Sequence, residues 1–369
     1  MDYTFNEQQL MVRANLRSFF EKECPPTLVR ETEEKKLDYS PELYQKLADI
    51  GCLELKIPTE YKGAGGSWID MAIFYEEAGR AMLPCPHYST ALVGQMILAF
   101  ADEFQKQEFL PRITSGELVL SLALAEPAAG SQLSSLTTSA TFNDESYTVN
   151  GTKLFANYAH IADYVNVVTR EKEGQLALVL VEKNAQGLTC TPLDTMSGER
   201  TCEVVLNNVG VSKNQLLGKC TEEELKGILD KMKIMSCAEM LGAAERALEM
   251  TVDYSKQRIS LDRPIGTFQS LQYKMADMAT AIEGIRWIVY KAAWMNDEGI
   301  PCAKESAIAQ IQAGRVCSWV TTLATHMHGA VSLVRDHDLS LYFRKVKAAQ
   351  LNLGSIDSLT ETILQEVGV

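Results

Sequence analysis

The spacing of apolar residues divides the chain into three zones. From residue 1 to about 115, apolar positions recur three and four residues apart, with polar and charged residues between them. That period predicts helices over 7–22, 41–51, 69–82 and 89–98. Ser40-Pro41-Glu42 is a helix start, with serine as cap and proline in the first turn. Lys62-Gly63-Ala64-Gly65-Gly66-Ser67 reads as a loop before the next helix. From about 117 to 217 the period changes to two. Strands are predicted over 118–125, 136–142, 147–150, 164–169, 177–181, 188–192 and 202–209, punctuated by turn signals such as Phe142-Asn143-Asp144 and Val149-Asn150-Gly151. Short strands at this spacing suggest an antiparallel barrel or sandwich. From about 221 the helical period returns in long segments, 222–255, 268–297, 303–327 and 338–352, rich in Ala, Met and Leu. Helices this long and apolar pack as a bundle and commonly bury one more face between subunits.

Composition narrows the possibilities. With 369 residues the chain is long enough for two or three domains and for a large core without disulfides or metals. Its net charge of −13, from 35 Lys+Arg against 48 Asp+Glu, argues against a general nucleic-acid-binding role, which needs a basic footprint. An anionic ligand stays open, because a few local cations hold phosphates. Nine cysteines are scattered with no CxxC pair, which fits a reducing compartment and small buried apolar roles. The acidic N-terminus has no hydrophobic signal core, and no stretch of about 18 apolar residues occurs. The expected location is the cytoplasm, with no membrane span.

Several short motifs then follow in order. They are Pro58-Thr59-Glu60-Tyr61-Lys62-Gly63-Ala64-Gly65-Gly66, Ala125-Glu126-Pro127-Ala128-Ala129-Gly130-Ser131, Val149-Asn150-Gly151-Thr152-Lys153, Arg258 through Gln269, Met275-Ala276-Asp277-Met278, and His328-Gly329. Together they cover the whole chain, and in this order they resemble the acyl-CoA dehydrogenase family. The resemblance implies an α+β chain with an N-terminal helical domain (1–115), a middle antiparallel β-barrel domain (116–220) and a C-terminal four-helix bundle (221–369). It further implies FAD as prosthetic group, an acyl-CoA thioester as substrate and α,β-dehydrogenation as reaction. Electrons would pass to an electron-transfer flavoprotein. The assembly would be a homo- or heterotetramer, the latter with a related subunit.

Carried over residue by residue, the resemblance assigns flavin contacts to Leu124, Ala125, Gly130, Ser131, Phe155 and Asn157, and contacts with the FAD of a neighbouring subunit to Arg258 and Gln269. A guanidinium suits a diphosphate because it donates in a fork. His326 and Gly329 fall in the turn that meets the adenosine. Ser131, Lys233 and Leu353 fall to the substrate. No metal is expected at the His326-Met327-His328 pair, which lacks a carboxylate or cysteine at ligand spacing.

Several positions depart from the family pattern: Ala125 replaces threonine, Leu261-Asp262 replaces Phe-Gly, His326 replaces glutamine and Ala330 replaces glycine. Asp262 adds negative charge beside the expected diphosphate contacts Arg258 and Arg263. The two positions where members carry the catalytic glutamate are Leu353 and Met232, and neither side chain moves protons. Glu239, seven residues beyond Met232 in a mostly apolar helical run, is the candidate base, since burial raises a carboxyl pKa. Asp338 and Asp357 are further candidates. Two readings remain open: an active dehydrogenase with a displaced base, for a bulky or cyclic acyl chain as the resemblance of Ala78-Gly79-Arg80-Ala81-Met82-Leu83-Pro84 suggests, or an FAD-poor, non-catalytic partner subunit or CoA-thioester-binding protein.

Overall fold

The computed structural model describes residues 5–34, 38–130, 132–143, 146–171 and 174–368. In chain order the helices are α1 (Glu7–Glu23), α2 (Pro26–Glu34), α3 (Pro41–Asp49), α4 (Trp68–Ala81), α5 (His87–Phe100) and α6 (Glu103–Thr114). The strands follow: β1 (Leu120–Ala123), β2 (Ser139–Asn143), β3 (Ser146–Asn157), β4 (Tyr164–Arg170), β5 (Leu176–Glu182), β6 (Leu188–Leu193), β7 (Thr201–Ser212) and β8 (Leu216–Cys220). Then come α7 (Glu222–Gln257), the short pair β9 (Ile259–Ser260) and β10 (Arg263–Pro264), α8 (Gln269–Asp297), α9 (Ala303–His328), α10 (Leu339–Asn352) and α11 (Ile356–Val367). The chain packs as two compact units. One takes Met1–Glu31, Ser67–Leu83 and Asp230–Val369; the other takes Thr32–Gly66 and Pro84–Leu229. No helix among the described residues is long and apolar enough to cross a membrane.

In the first unit α4 is the central helix, buried from Trp68 to Gly79 apart from Asp70. Its N-terminal amides are capped twice. Ser67 and Asp70 form a reciprocal capping box, and the Asp297 carboxylate at the end of α8 accepts from Trp68 N (2.7 Å) and Ile69 N (3.2 Å). α4 crosses α7 backbone to backbone. A Cβ on Gly79 would lie 1.9 Å from the Glu239 carbonyl oxygen, and one on Gly242 would lie 1.8 Å from that of Glu76. Only glycine fits at either position.

Two carboxylates on α4 are fully enclosed, Glu76 at 0 % and Glu77 at 1 % exposure. Burying a bare carboxylate is prohibitive, so each is surrounded by cations. Glu76 accepts from Arg13 (2.7 Å), from Arg286 and from the Tyr290 hydroxyl (2.7 Å). Glu77 accepts from Arg13 and Arg17. Arg80 and Arg286 extend the network to Glu245 on α7. Burial would raise the Glu245 carboxyl, but Arg286, Arg80 and Arg13 outweigh it and hold it low. The four expected C-terminal helices are present as α7 to α10, and α11 adds a fifth that packs on α9.

In the second unit the strand order is β6-β7-β3-β2-β4-β5-β8, and β1 pairs in parallel with β4. The expected barrel does not close, because β6 and β8 end the path unpaired with each other. The reason lies at β6, whose side chains alternate half-buried and exposed and which carries Pro192 opposite Cys202. Proline has no amide hydrogen and suits an edge strand. The inner strands β4 and β5 lack alternation: Leu176 to Val181 is buried throughout, as expected of a strand covered on both faces. The turn predicted at Asn150-Gly151 is instead a bulge inside the twelve-residue β3. Gly151 is required there, since a Cβ would strike the Thr138 side chain at 2.4 Å.

Removing Glu76 takes one carboxylate from both Arg13 and Arg286, leaving Arg13 with Glu77 and Arg286 with Glu245, and takes the acceptor from the buried Tyr290 hydroxyl. Glu76→Ala is expected to lower stability by about 3–5 kcal/mol, read as a fall in the urea unfolding midpoint.

Candidate functional site

In the sheet unit the segment Leu124–Gly130 follows β1. Leu124 and Ala125 are half-buried, and Glu126 is 3 % exposed. Four donors reach the Glu126 carboxylate: Thr137 N (2.8 Å), Thr137 Oγ1 (2.7 Å), Thr138 N (2.9 Å) and Lys153 Nζ (2.8 Å). The same ammonium donates to Leu124 O (3.1 Å), and Leu154 N donates to Ala125 O (2.8 Å). Thus the loop is tied to β3 at three successive residues. Burial alone would raise the Glu126 carboxyl, yet the hydrogen bonds from Lys153, Thr138 and Thr137 dominate and bring it to about 2. Glu126 and Gly130 exchange two backbone hydrogen bonds of 2.8 Å, closing the loop. Gly130 has φ +56, and open space surrounds the position of a Cβ there, so the backbone conformation and not crowding calls for glycine. Ser131 lies outside the described residues.

Next to this loop the register of β3 against β7 shifts between Lys153 and Ala156. The bulge puts Phe155 at φ 57 and leaves it 61 % exposed, an unusual state for a large aromatic residue. Tyr158, three residues on, has φ 59. Each left-handed side-chain-bearing residue costs roughly 1–3 kcal/mol, a strain that surrounding contacts must over-determine and that clusters at functional sites. The pins are present. Ser121 Oγ donates to Asn157 O (2.7 Å), and Tyr158 N donates to Arg200 O (2.6 Å). Phe155, Asn157 and the Leu124–Gly130 loop are therefore brought together on one rigid platform. An exposed ring beside a loop of small residues suits a flat aromatic ligand, so the residues present fit a flavin on this side.

In the helical unit Arg258 follows α7 directly and is exposed, making no ion pair among the described residues. It precedes a two-residue hairpin in which Leu261 (φ 50) and Asp262 (φ 60) are both left-handed, the dihedral signature of a type I′ turn usually built from Asn and Gly. Leu261 stands 81 % exposed at the tip. Arg263 stacks over Phe268, with 4.3 Å from guanidinium carbon to ring centroid. Gln269 is exposed at the start of α8 and donates to the Tyr273 hydroxyl. His326 is exposed, Gly329 ends α9 at φ +72, and His328 turns inward to stack on Tyr254 at 4.3 Å. Among the described residues no group of three His, Cys, Asp or Glu side chains is placed to hold a metal ion.

Leu353 is 2 % exposed and Met232 is 0 % exposed. Leu353 closes against α9, where its Cδ1 lies 3.7 Å from the position of a Cβ on Gly314. Lys233 reaches the neighbouring residue: its Nζ is 4.0 Å from the position of a Cβ on Gly354. The structure thus brings Lys233 and the Leu353-Gly354 turn together. Glu239 is half-buried, with its backbone against Gly79 of α4. Asp338 is held by Arg30, and Asp357 is exposed in the first turn of α11. Sequence reasoning did not single out Glu126 and Lys153 as the pair that anchors the loop. A charged residue at each end of otherwise apolar stretches was the available signal.

Three models of one family match in order: acyl-CoA dehydrogenase N-terminal domain over residues 6–117, middle domain over 121–209 and C-terminal domain over 225–368. A probable acyl-CoA dehydrogenase of Bacillus subtilis is 31 % identical over 368 residues, covering 96 % of each chain. The structure of butyryl-CoA dehydrogenase from Megasphaera elsdenii superposes with a TM-score of 0.91 at 30 % identity, covering 100 % of both chains. A chain in a structure titled for the electron transferring flavoprotein of Acidaminococcus fermentans gives 0.93 at 30 % identity, again covering 100 % of both.

With a folded carboxyl near 2 and an unfolded one near ~4.3, Glu126 contributes stability in full above about pH 5 and loses it as the pH falls toward 2. The difference in unfolding free energy between wild type and Glu126→Gln is expected to shrink over that window by an amount on the order of 3 kcal/mol, measured by urea titrations at stepped pH.

Proposed function

We propose a function from a plain premise: the chain belongs to the acyl-CoA dehydrogenase family, whose members are FAD-dependent oxidoreductases. It oxidises an acyl-CoA thioester at the α,β bond. The observation that carries this reading is Phe155, a strained and exposed aromatic residue held beside Asn157 and the Leu124–Gly130 loop. Bound FAD would supply the redox chemistry, accepting the two electrons removed as the α,β bond becomes a double bond.

This chain's own residues hold and orient. Phe155 would cover the flavin ring, Asn157 would donate to it, and Leu124, Ala125 and Gly130 would let the backbone come close to it, with Ser131 the further contact the family resemblance assigns. Arg258 would grip a diphosphate, with Gln269, His326 and Gly329 on the adenosine side and Asp262 weakening that grip. Lys233 and Leu353, with Ser131, would line the acyl-CoA. Glu239 is the proposed α-proton acceptor. Asp338 is disfavoured because Arg30 already engages it.

The electron acceptor in this reading is an electron-transfer flavoprotein, and a bulky or cyclic acyl chain is the proposed substrate. The working assembly is a homo- or heterotetramer. Nine free thiols, seven of them buried, support a reducing compartment such as the cytoplasm. Residues 1–115, 116–220 and 221–369 are the three proposed domains.

A second reading is favoured by one specific observation. Both positions where the family carries its glutamate, Leu353 and Met232, are buried and apolar. That suits an FAD-poor or non-catalytic partner subunit of a heteromer.

Purified alone, the protein is expected to be yellow and to bleach on addition of an acyl-CoA substrate. A colourless protein that takes up FAD only with a related subunit would replace the first reading with the second. Glu239→Gln is expected to lower kcat at least tenfold with flavin content unchanged, followed by anaerobic bleaching of the flavin. Unchanged turnover removes Glu239 from the mechanism.

A further inference from the structure

Three residues far apart in sequence form a line of hydrogen bonds in the sheet unit. Asp38 Oδ1 lies 2.6 Å from His160 Nε2, and His160 Nδ1 lies 3.1 Å from Cys202 Sγ. Both ring nitrogens are therefore engaged. A carboxylate only accepts, so Nε2 carries the hydrogen toward Asp38, and Nδ1 faces the Cys202 sulfur. Burial pushes that thiol up, although the backbone amides of His160 and Ala159 pull the other way, which keeps the proton on sulfur. With 0 % exposure, Cys202 is shut off from external reagents, so the arrangement is not built for nucleophilic attack despite its resemblance to one.

Its position gives its purpose. Cys202 pairs across β7 and β3 with Ala156, and Thr201 pairs with Asn157. His160 sits in the turn that follows, where the amides of Ile161 and Ala162 donate to Tyr158 O and Asp163 N donates to Val119 O. The strained residues Phe155 and Tyr158 lie between these anchors. Left-handed residues at 155 and 158 persist only if neighbouring groups over-determine them. Ser121 and Arg200 hold the segment from the strand side. The line through His160 holds it from the other end, with Asp38 fixing the ring orientation.

We infer that Asp38, His160 and Cys202 are positioning residues that hold residues 155–158 in the conformation presenting Phe155 and Asn157 to the flavin. The flavin part rests on the function proposed above, whereas the positioning part does not.

The test uses the full-length protein with four variants. His160→Ala and Asp38→Ala break the line. Asp38→Asn keeps an acceptor, and Cys202→Ser keeps a donor. Hydrogen exchange of the peptide covering 154–163 is read first, in the absence of flavin. Faster exchange in the two alanine variants and near-wild-type exchange in the two conservative ones are expected; unchanged exchange in both alanine variants overturns the inference. Flavin binding is read second. His160→Ala is expected to weaken FAD at least tenfold and to change its visible circular dichroism, with Asp38→Asn and Cys202→Ser within about twofold of wild type. If wild type binds no FAD, the proposed function fails while the exchange result still decides the positioning role. If His160→Ala binds FAD with wild-type affinity and spectrum, the flavin part of the inference fails and the proposed function stands. Should His160→Ala not fold, Asp38→Ala carries the test, since its partly exposed carboxylate is removable without opening a cavity.

Discussion

The ion pair between Glu126 and Lys153 sets the geometry of the sheet unit's candidate site. Compared with apolar side chains of the same volume, a buried pair of this kind adds little net stability, because desolvation of two charges offsets their attraction; once the pair is built, the ionised Glu126 is strongly preferred to the protonated one. It does impose position. Glu126 has four donors to satisfy it and Lys153 has two acceptors, so neither side chain can shift without leaving a charge unpaired. The loop from Leu124 to Gly130 is thereby locked to β3 immediately before the bulge that lifts Phe155 out of the sheet. The helical unit uses the same device around Glu76. In both units charge buried on one element dictates where its partner elements lie.

Much of the architecture was readable from periodicity. The long helices α7 to α10 agree with the apolar spacing to within a few residues, because a helical period sustained over many turns is the strongest local signal. The short helices α2, α6 and α11 were missed; α6 carries Pro111 near its end, α2 buries only Val29 and Thr32, and α11 has no fully buried residue. Asn150-Gly151 carries turn chemistry but sits in a bulge, where Asn150 Oδ1 caps the amide of Asn208 on the facing strand. Local composition cannot separate a turn from a bulge, since both ask for the same backbone freedom. The candidate site was readable only through its resemblance to a family. That Phe155 is strained and exposed depends on register, and the partnership of Arg30 with Asp338 spans 308 residues.

The departures from the family pattern fall unevenly. Around Phe155 the loop closure, the bulge and the anchoring pair are complete. In the function proposed above, by contrast, the two positions assigned to the proton acceptor, at the end of α10 and on α7, are the buried apolar residues Leu353 and Met232, and the ammonium of Lys233 lies beside the Leu353-Gly354 turn. Flavin holding and proton transfer are separable demands, met by different elements. One can be retained while the other is moved or delegated.

The crossing of α4 and α7 has a consequence of its own. Most helix pairs meet through side chains, and substitutions there are absorbed by rotamer changes and repacking. At Gly79 and Gly242 the two backbones touch, so nothing between them can adjust. Change at this contact is therefore all or none. No single substitution at either glycine can shift the angle between these helices by a small step, because any added carbon meets backbone.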